Sequence, residues 1–592
     1  MRFTDKRIPA NIGEWPKSLV QLPFWFSLMT LLLIIFDLGF DQSVHLENRL
    51  IWAYNSLLIL GIVSMIGRYP SAKTRPLVRV RPFDFLLVAF LLLVFTGQVI
   101  HTLPNDLGEK AWYFIAIALV FVRELSALKL DFTRRHFDPA RLFVMSFILI
   151  ILVGTALLMV PKATHGGITM IDALFTSTSA VCVTGLVVVD TGHHFTVFGQ
   201  WVIIVLIQVG GLGIMTFTSY FSYFFRGGSS YETQLLLKDM TSSEKIADVF
   251  STLKKIILVT FVIELIGALF IYFSLDRTQI PTFSERAFFA IFHTVSGFCN
   301  AGFSTLTNSL YETGFRFNYP LHLTIAFLFI LGGIGFPIIF NVFKYTRYLL
   351  FNRLLFFVKR DQQAIHIPWV ININTRIVIL TTTVLIIVGT VFFYWFEFNN
   401  TLAEHQGLGK VVTAFFGAVT PRTAGFNTVD TSALHFSTVM FVFLLMWIGA
   451  SPGSTGGGIK TSTFAIGTLN YFSLARGKDR LEVFRREIAD TSVRRAFAII
   501  SLSLAVIGAA VFLIASFDRE KDLLSIAFEC FSAYSTVGLS LGITAQLSDP
   551  SKLVIIATMF IGRVSMLTIL IALLRKVRHL KYRYPTEEIL IN

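Results

Sequence analysis

Four short stretches of this sequence share a pattern that suits the coordination of a bare cation. Aligned without gaps, each has a phenylalanine ten residues before a glycine and an apolar residue directly after that glycine. The pattern recurs at intervals of 113 to 123 residues, which indicates a repeat architecture. The four stretches are "LFTSTSAVCVTGL" (174–186), "IFHTVSGFCNAGF" (291–303), "AFFGAVTPRTAGF" (414–426) and "AFECFSAYSTVGL" (527–539), with phenylalanines at Phe175, Phe292, Phe415 and Phe528.

Glycine permits backbone conformations that a β-carbon forbids, so each stretch can expose its main chain to a ligand. Rings of backbone carbonyls can replace the hydration shell of an ion, and the negative ends of short helices favour a cation nearby. The alternative is that each glycine merely caps a buried half-helix, which explains one glycine better than four. The predicted ion-binding residues are Val183, Thr184, Gly185, Asn300, Ala301, Gly302, Thr423, Ala424, Gly425, Thr536, Val537 and Gly538.

Composition places these stretches in a membrane protein. The chain has 592 residues, of which 54% are hydrophobic and only 15% are charged, whereas a soluble domain carries about 25% charged residues. Apolar runs of about 20 residues, enough to cross a bilayer, recur along the chain. The three cysteines predict no disulfide framework, and no Ser/His/Asp, Cys/His or paired-carboxylate constellation predicts an enzyme.

The net charge of +14 is carried by basic runs that lie between apolar segments. Such runs mark the cytoplasmic side of a membrane protein, so they do not predict nucleic-acid binding. Their spacing predicts a multi-pass protein of the plasma membrane with both termini in the cytoplasm. The runs are 67–81, 129–141, 344–360, 475–487 and 575–584.

The order of apolar segments predicts the fold class: an all-α polytopic membrane protein with four span–pore-loop–span repeats around one pseudo-four-fold ion pore. About four extra transmembrane helices precede the repeats, near 22–40, 50–66, 83–101 and 112–127. The short stretch in each repeat reaches only about halfway across the bilayer, and irregular backbone is tolerated there only where it lines a cavity. The predicted boundaries are 1–140 for the extension, 141–228, 229–350, 351–470 and 471–592 for the repeats, the third with an intramembrane loop and the fourth with a cytoplasmic tail.

The second span of each repeat carries a further glycine, and the residue after it is small except in the fourth repeat. There Arg563 places a guanidinium within the membrane, where charge usually faces a cavity or a partner. In the third repeat, four glycines and a proline within seven residues cannot continue a regular helix and predict a flexible plug below the filter. The spacing to Lys460 does not fit a nucleotide-binding loop. The plug residues are Gly453, Ser454, Thr455, Gly456, Gly457 and Gly458, and the second-span glycines are Gly210, Gly332, Gly449 and Gly562.

Together these motifs resemble the Trk/Ktr/HKT superfamily of potassium transporters, especially the TrkH and KtrB membrane subunits, over about residues 141–580. The resemblance rests on "VTGLVVVDTG" (183–192), "CNAGFSTL" (299–306), "TPRTAGFNTVD" (420–430) and "STVGLSLGIT" (535–544). It implies potassium uptake through a selectivity filter, a membrane homodimer and a cytosolic nucleotide-binding ring of the TrkA/KtrA type. It also implies that the plug is the gating loop and that Arg563 contacts it. The four-helix extension departs from the family pattern and has no assigned role.

The sequence leaves open whether the transported ion is potassium alone or also sodium. Some plant members that admit sodium replace the first filter glycine with serine, and Gly185 therefore favours potassium. Potassium is the expected substrate, with sodium as a second candidate and a sodium-conducting or sodium/potassium symporting relative as the alternative function. The more distant alternative is a secondary transporter of another substrate, which would show inverted repeats. The basic loops indicate that all four repeats have the same orientation, which argues against inverted repeats. No covalently bound cofactor is expected. Membrane lipid is expected to surround the protein.

Three further groups of residues carry weaker predictions. Arg422 before the third filter segment could repel cations, brace the loop or pair with Glu529, and bracing is favoured. Cys182 and Cys299 are expected to be small packing residues rather than redox sensors. The neighbouring histidines His193 and His194 are expected to be solvated loop residues.

Overall fold

The computed structural model describes residues 17–68, 82–99, 110–127, 139–226, 249–358 and 371–573. These ranges form helices and one two-stranded hairpin, β1 (Glu482–Val483) and β2 (Arg486–Glu487), so the predicted all-α class holds. The helices are α1 (Lys17–Gly39), α2 (Val44–Arg68), α3 (Pro82–Val99), α4 (Ala111–Ala127), α5 (Pro139–Leu158), α6 (Met170–Val181), α7 (Val197–Arg226), α8 (Val249–Ser274), α9 (Phe283–Phe298), α10 (Tyr319–Ile334), α11 (Phe336–Val358), α12 (Ile373–Glu397), α13 (Leu408–Val419), α14 (Phe436–Trp447), α15 (Thr461–Ala475), α16 (Asp490–Phe517), α17 (Leu523–Ser535), α18 (Asp549–Val564) and α19 (Met566–Leu573).

Three described helices are each long and apolar enough to cross a membrane, and α10 with α11 qualifies as a fourth span that bends by 99°. The three spans are Lys254–Ser274, Ile373–Glu397 and Asp490–Phe517, and only 22–28% of each is buried inside the protein. Exposed apolar side chains on them, such as Phe273 and Trp395, therefore face the hydrocarbon that surrounds a membrane protein. The remaining apolar helices in the described ranges are shorter.

The chain divides into two compact units, and the first contains α1 to α4 with the short segment 160–167. Its helices pack around a buried cluster that includes Tyr54, whose hydroxyl donates to Asp37 at 3.0 Å. The fourth predicted span is a continuous helix in spite of its charged residues. Arg123 pairs with Asp84 of α3 at 2.8 Å, so the guanidinium is neutralised inside the helix bundle.

The second unit contains α5 to α19, apart from the last turns of α7. Along the chain, a long helix is followed four times by a short helix, an irregular loop and a further helix. We refer to the short helices α6, α9, α13 and α17 as pore helices and to the helix after each loop as the second helix of that repeat. The predicted domain boundaries themselves remain a prediction.

Each second helix packs on the pore helix of the next repeat. Trp201 of α7 contacts Phe288 of α9 with ring centroids 5.3 Å apart, and Phe329 of α10 contacts Phe416 of α13 at 5.4 Å. Phe443 of α14 contacts Phe528 of α17 at 5.5 Å. The ring of repeats closes because α18, the second helix of the fourth repeat, packs on α6, the first pore helix. The four repeats therefore surround a common axis.

Three of the second helices are interrupted, whereas the sequence analysis predicted one interruption. The loop after α14 lies in the predicted glycine-rich stretch. The helix pair α10 and α11 breaks at Gly335 with φ 92°, and α18 and α19 break at Ser565 with φ 73°. The left-handed φ at each break ends the helical hydrogen-bond pattern, and tertiary contacts of the neighbouring loop hold the bend at Gly335, as described below.

Candidate ion-conducting site

The loops that follow the pore helices share one backbone conformation. In each, the residue two positions before the glycine adopts a left-handed φ, which is uncommon for a residue with a side chain. The glycine itself then adopts a second positive φ. The φ values are 57° and 90° for Val183 and Gly185, 62° and 72° for Asn300 and Gly302, 74° and 78° for Thr423 and Gly425, and 51° and 92° for Thr536 and Gly538.

The four glycines are packed against one another's loops. A β-carbon on Gly185 would collide with the carbonyl oxygen of Ala301, and one on Gly302 would lie 2.8 Å from the carbonyl oxygen of Ala424. Gly425 meets the carbonyl of Val537 in the same way, and Gly538 meets the carbonyl of Thr184. Each loop thus contacts the next, and the fourth contacts the first. Only glycine fits where four main chains converge this closely.

The main chain of each loop is held from behind by its own pore helix. The peptide N–H groups of Thr184, Ala301 and Val537 donate to Ser179, Ser296 and Ser532 at 2.7–2.9 Å, and Ala424 donates to Thr420 at 3.0 Å. The hydroxyls of these four helix residues also bond to the loops, a function that the sequence analysis did not assign. Ser179 and Ser532 accept from the glycine N–H groups, whereas Ser296 and Thr420 donate to the carbonyls of Phe303 and Phe426.

The carbonyl groups of the predicted ion-binding residues are left without donors. In the part of the chain that the structure describes, no N–H or O–H group bonds to a carbonyl oxygen of residues 183–185, 300–302, 423–425 or 536–538. All of these residues are buried except Gly302 and Gly538, which are half-buried, and buried carbonyls in proteins are nearly always paired. Four loops that contact one another in a ring and carry carbonyl oxygens without donors have the chemistry to coordinate a cation that sheds its water.

The glycine-rich segment, which we define as residues 448–460, lies between α14 and α15 and passes close to these loops. It is hydrogen-bonded to the broken second helix of the second repeat. The N–H groups of Ser451 and Thr455 donate to Gly333 and Gly332 at 2.9 and 3.3 Å, and Phe336 donates to Gly453 at 3.1 Å. The bend at Gly335 and the path of the glycine-rich segment therefore hold each other in place.

Polar side chains of two loops form hydrogen bonds with the glycine-rich segment, and a side chain of a third loop bonds to one of them. Thr455 donates to the side-chain oxygen of Asn300 at 3.2 Å, and Gly457 N–H donates to the hydroxyl of Thr536 at 2.9 Å. Asn300 in turn donates to the hydroxyl of Thr423 at 3.1 Å. These side chains belong to the left-handed residues of loops two, three and four, while the first loop has Val183. The predicted plug residues thus lie directly against the predicted ion-binding residues.

Arg563 is the charged group of this region. Its side chain is buried and donates one hydrogen bond to the carbonyl of Thr455 and another to the carbonyl of Gly210 at 2.7 Å. One guanidinium therefore joins the glycine-rich segment to α7 of the first repeat. A second cation, which sequence reasoning did not single out as part of the site, is Lys460, whose ammonium donates to the carbonyl of Gly456 at 2.7 Å.

The second-span glycines explain how the helices approach the pore helices. A β-carbon on Gly210, Gly332 or Gly562 would collide with the carbonyl at the end of its own repeat's pore helix. Gly449 differs, because a β-carbon there would meet Gly457 within the glycine-rich segment. In the third repeat, the second-span glycine therefore contacts the glycine-rich segment instead of the end of the pore helix.

The weaker candidates have the following environments. Arg422 is buried, and its side chain has no hydrogen-bond or ion-pair partner within the described ranges, so neither bracing nor pairing with Glu529 is observed. Cys182, Cys299 and Cys530 are free and buried, and the thiol of Cys299 lies 3.7 Å from Gln208. His193 is exposed and His194 is half-buried. Among described residues, no cluster of His, Cys, Asp and Glu could hold a metal ion.

A family model described as "TrkH: Cation transport protein" matches residues 109–579. The chain belongs to the TrkH family. Members of the TrkH family are membrane cation transporters rather than enzymes, as the sequence analysis expected, and the present chain is a multi-pass membrane protein of this kind. The predicted resemblance to Trk and Ktr membrane subunits is confirmed.

Several proteins similar to this TrkH-family chain are known. Ktr system potassium uptake protein B of Bacillus subtilis is 36% identical over 458 residues, covering 77% of this chain and 97% of that protein. The Vibrio alginolyticus protein of the same name is also 36% identical, over 76% of this chain and 94% of its own. Potassium/sodium uptake protein NtpJ of Enterococcus hirae is 35% identical, covering 77% and 98% respectively.

The crystal structure of the potassium transporter TrkH from Vibrio parahaemolyticus has the same fold as this TrkH-family chain. The TM-score is 0.58 at 18% sequence identity, over 88% of this chain and 97% of that one. At this identity the likeness concerns the fold alone. It supports the helical polytopic architecture described above.

Proposed function

We propose that this protein takes up potassium ions across the plasma membrane through a selectivity filter formed by its four glycine loops. The observation that carries the proposal is the closed ring of contacts among the loops of Gly185, Gly302, Gly425 and Gly538, whose carbonyl groups have no hydrogen-bond donors in the described ranges. A potassium ion that loses its water needs several oxygen ligands at once, and four converging main chains supply them. The names of the Bacillus and Vibrio relatives favour potassium as the ion.

The glycine-rich segment is the proposed gate. It contacts the left-handed residues of three loops, so an ion that leaves the filter on this side meets it next. Arg563 binds the carbonyl of Thr455 and thereby favours the closed position of the segment. Opening then requires that this charge-assisted hydrogen bond be broken and that Gly453 to Gly458 move aside.

Regulation is proposed to come from a separate subunit. The relatives are named as components of a Ktr system, and the basic loops of this chain would bind a cytosolic nucleotide-binding ring of the TrkA/KtrA type. In this proposed arrangement both termini of the chain lie in the cytoplasm, and two copies of the chain form a homodimer in the membrane. The proposed docking surface consists of the loops 226–255, 344–376 and 475–495 and the C-terminal tail, of which 227–248, 359–370 and 574–592 lie outside the described residues.

The test is growth of a potassium-uptake-deficient bacterium that expresses the chain. Gly185→Ser and Gly538→Ser add a side chain where carbonyls of Ala301 and Thr184 approach, so growth on micromolar potassium should fall or sodium should compete better. Gly508→Ser is the matched control, because a β-carbon at Gly508 in α16 would meet no atom within 4 Å. Unchanged growth of every filter variant beside unchanged growth of the control would refute the filter.

A sodium-conducting function is the second candidate, and it is favoured by the likeness to the potassium/sodium uptake protein NtpJ. Uptake of labelled sodium by proteoliposomes without potassium distinguishes the two. If the sodium flux equals the potassium flux at equal concentration, the proposed function becomes transport of cations with little selectivity between sodium and potassium.

A further inference from the structure

A buried titratable side chain supports the loop of the second repeat from behind. His293 of α9 is fully buried, and its Nδ1 lies 2.9 Å from the carbonyl of Phe289 while its Nε2 lies 2.9 Å from the hydroxyl of Ser304. Because a carbonyl can only accept, Nδ1 carries the proton and neutral Nε2 accepts from Ser304. Ser304 also accepts from the N–H of Leu306 at 3.0 Å. Ser304 stands two residues after the filter glycine.

The fourth repeat has the same arrangement with a different side chain. Glu529 of α17 is fully buried and occupies the position of His293, nine residues before the filter glycine. Its Oε1 accepts from the hydroxyls of Ser540 and Thr544, the latter at 2.9 Å. Ser540, again two residues after the glycine, accepts from the N–H of Gly542 at 2.8 Å. We call residues 303–306 and 539–542 the return arms of their loops.

The first and third repeats lack this link. Thr176 occupies the corresponding position in α6 and donates to the carbonyl of Asp172 within its own helix at 2.9 Å. Phe416 occupies it in α13 and packs on Phe329. The matching arm residues are Val187 and Asn427, and Asn427 bonds within its own arm, to Val429 at 3.4 Å. The linked repeats are not neighbours in the ring, since each loop contacts only the next.

We propose that His293 and Glu529 are positioning residues that hold the return arms of two opposed loops and thereby set the discrimination between potassium and sodium. The inference rests on the proposed filter. No loop has a second glycine two residues after its filter glycine, so the return arm is the part of the loop that the filter-glycine contacts do not fix. A hydrogen bond to Ser304 or Ser540 supplies that restraint in two repeats.

The physical argument concerns the cost of keeping these groups inside the membrane. An ionisable side chain in a membrane segment is expensive and is usually functional. Oε2 of Glu529 is buried with no hydrogen-bond partner in the ranges that the structure describes, so this residue is not simply a satisfied packing group. The phenylalanine of the third repeat shows that an apolar residue fits this position in the fold.

The experiment compares sodium inhibition of rubidium or potassium uptake in proteoliposomes normalised to folded protein. Ser304→Ala, His293→Phe, Ser540→Ala and Glu529→Leu should each lower the ratio of sodium to potassium half-saturation constants by about five-fold, while the maximal rate changes less. Ser304→Thr and Ser540→Thr keep the hydroxyl and should retain the ratio. Thr176→Val is the matched control, because its hydroxyl bonds only within its own helix.

A double-mutant cycle makes the test independent of folding losses. His293→Phe combined with Ser304→Ala should lower the ratio no further than either change alone, because both remove one contact. If the ratio is unchanged in the variants of both repeats, or if the two changes add fully, the inference is wrong. If Gly185→Ser changes the selectivity but the variants at His293, Ser304, Glu529 and Ser540 keep the wild-type ratio of half-saturation constants, only this inference is overturned. Unchanged selectivity in the glycine variants would overturn the filter itself.

Discussion

Lys552 of α18 forms an ion pair with Asp172 of α6, with Nζ and Oδ1 2.6 Å apart across 380 positions of sequence. The side chains are largely buried, at 11% and 16% exposed. The pair joins the last second helix to the first pore helix and so closes the ring of repeats. Asp172 lies in the first turn of α6, where the helix dipole adds to the attraction.

Breaking this pair should destabilise the assembled ring. Lys552→Met leaves the carboxylate of Asp172 without its counter-charge, and Asp172→Asn leaves Lys552 with only the exposed Asp549, 4.0 Å away. Either change should cost about 1–3 kcal/mol. Thermal unfolding of the detergent-solubilised protein measures the loss, and the double variant should lose less than the sum. Glu487→Gln breaks the exposed pair with Arg480 and serves as the control, since surface ion pairs contribute little. Equal melting temperatures for all variants would contradict the closing function.

Arg563→Gln should raise ion flux. The change removes the charge from two hydrogen bonds, to Thr455 and Gly210, and charged hydrogen bonds contribute about 1.5–3 kcal/mol each. Loss of one would shift the open population by about ten-fold to a hundred-fold. Flux into proteoliposomes, normalised to folded protein, measures the effect. Deleting Gly456 and Gly457 should act in the same direction, and the combination should give less than the sum.

The alternative for Arg563 is that it only braces the helices around α7. Expression and flux would then fall together, and the loop deletion would not alter the effect of Arg563→Gln. A normally folded Arg563→Gln protein with wild-type flux, with and without the deletion, would remove this residue from the gate.

Gly562→Ala should prevent normal assembly of the fourth repeat. Its β-carbon would overlap the carbonyl of Tyr534 at the end of α17, and main chain cannot move aside as a flexible side chain can. Overpacking of this kind typically costs about 1–3 kcal/mol. Gly508→Ala, in open space, is the matched control. The yield of monodisperse protein and its melting temperature give the measurement, and a stable Gly562→Ala protein would show that α18 can shift.

Nucleotide control should depend on another subunit. The sequence has no nucleotide-binding fingerprint, and Lys460 bonds to Gly456 within the glycine-rich segment rather than being held free for a phosphate. Calorimetry with ATP, ADP and NADH should therefore detect no tight binding to the purified chain. Deleting residues 583–592 should weaken regulation in cells more than ion selectivity. Tight nucleotide binding by the chain alone would contradict the two-subunit arrangement.

The sequence by itself determined the membrane class, the helical fold and the positions of the repeated glycines. These features are local: apolar runs of bilayer length predict spans, and a glycine in a fixed frame predicts a backbone that side chains would obstruct. The charge of Arg563 was conspicuous for the same reason, because a lone guanidinium in an apolar helix needs a partner. The family resemblance followed from these motifs.

Only the tertiary structure decided which groups meet. The glycines and the proline of "GGIGFP" (332–337) weaken the helix locally, but they do not fix the bend at Gly335, because it depends on hydrogen bonds from a segment more than a hundred residues away. Likewise, Glu529 and His293 have different chemistry, and their common function emerges only when each is seen bonded to the serine of its return arm. The hydrogen bonds around Gly335 join positions that are distant in the chain, and the packing of the repeats fixes their partners. The bonds of His293 and Glu529 span 11 residues and depend on how each loop folds back on its own pore helix.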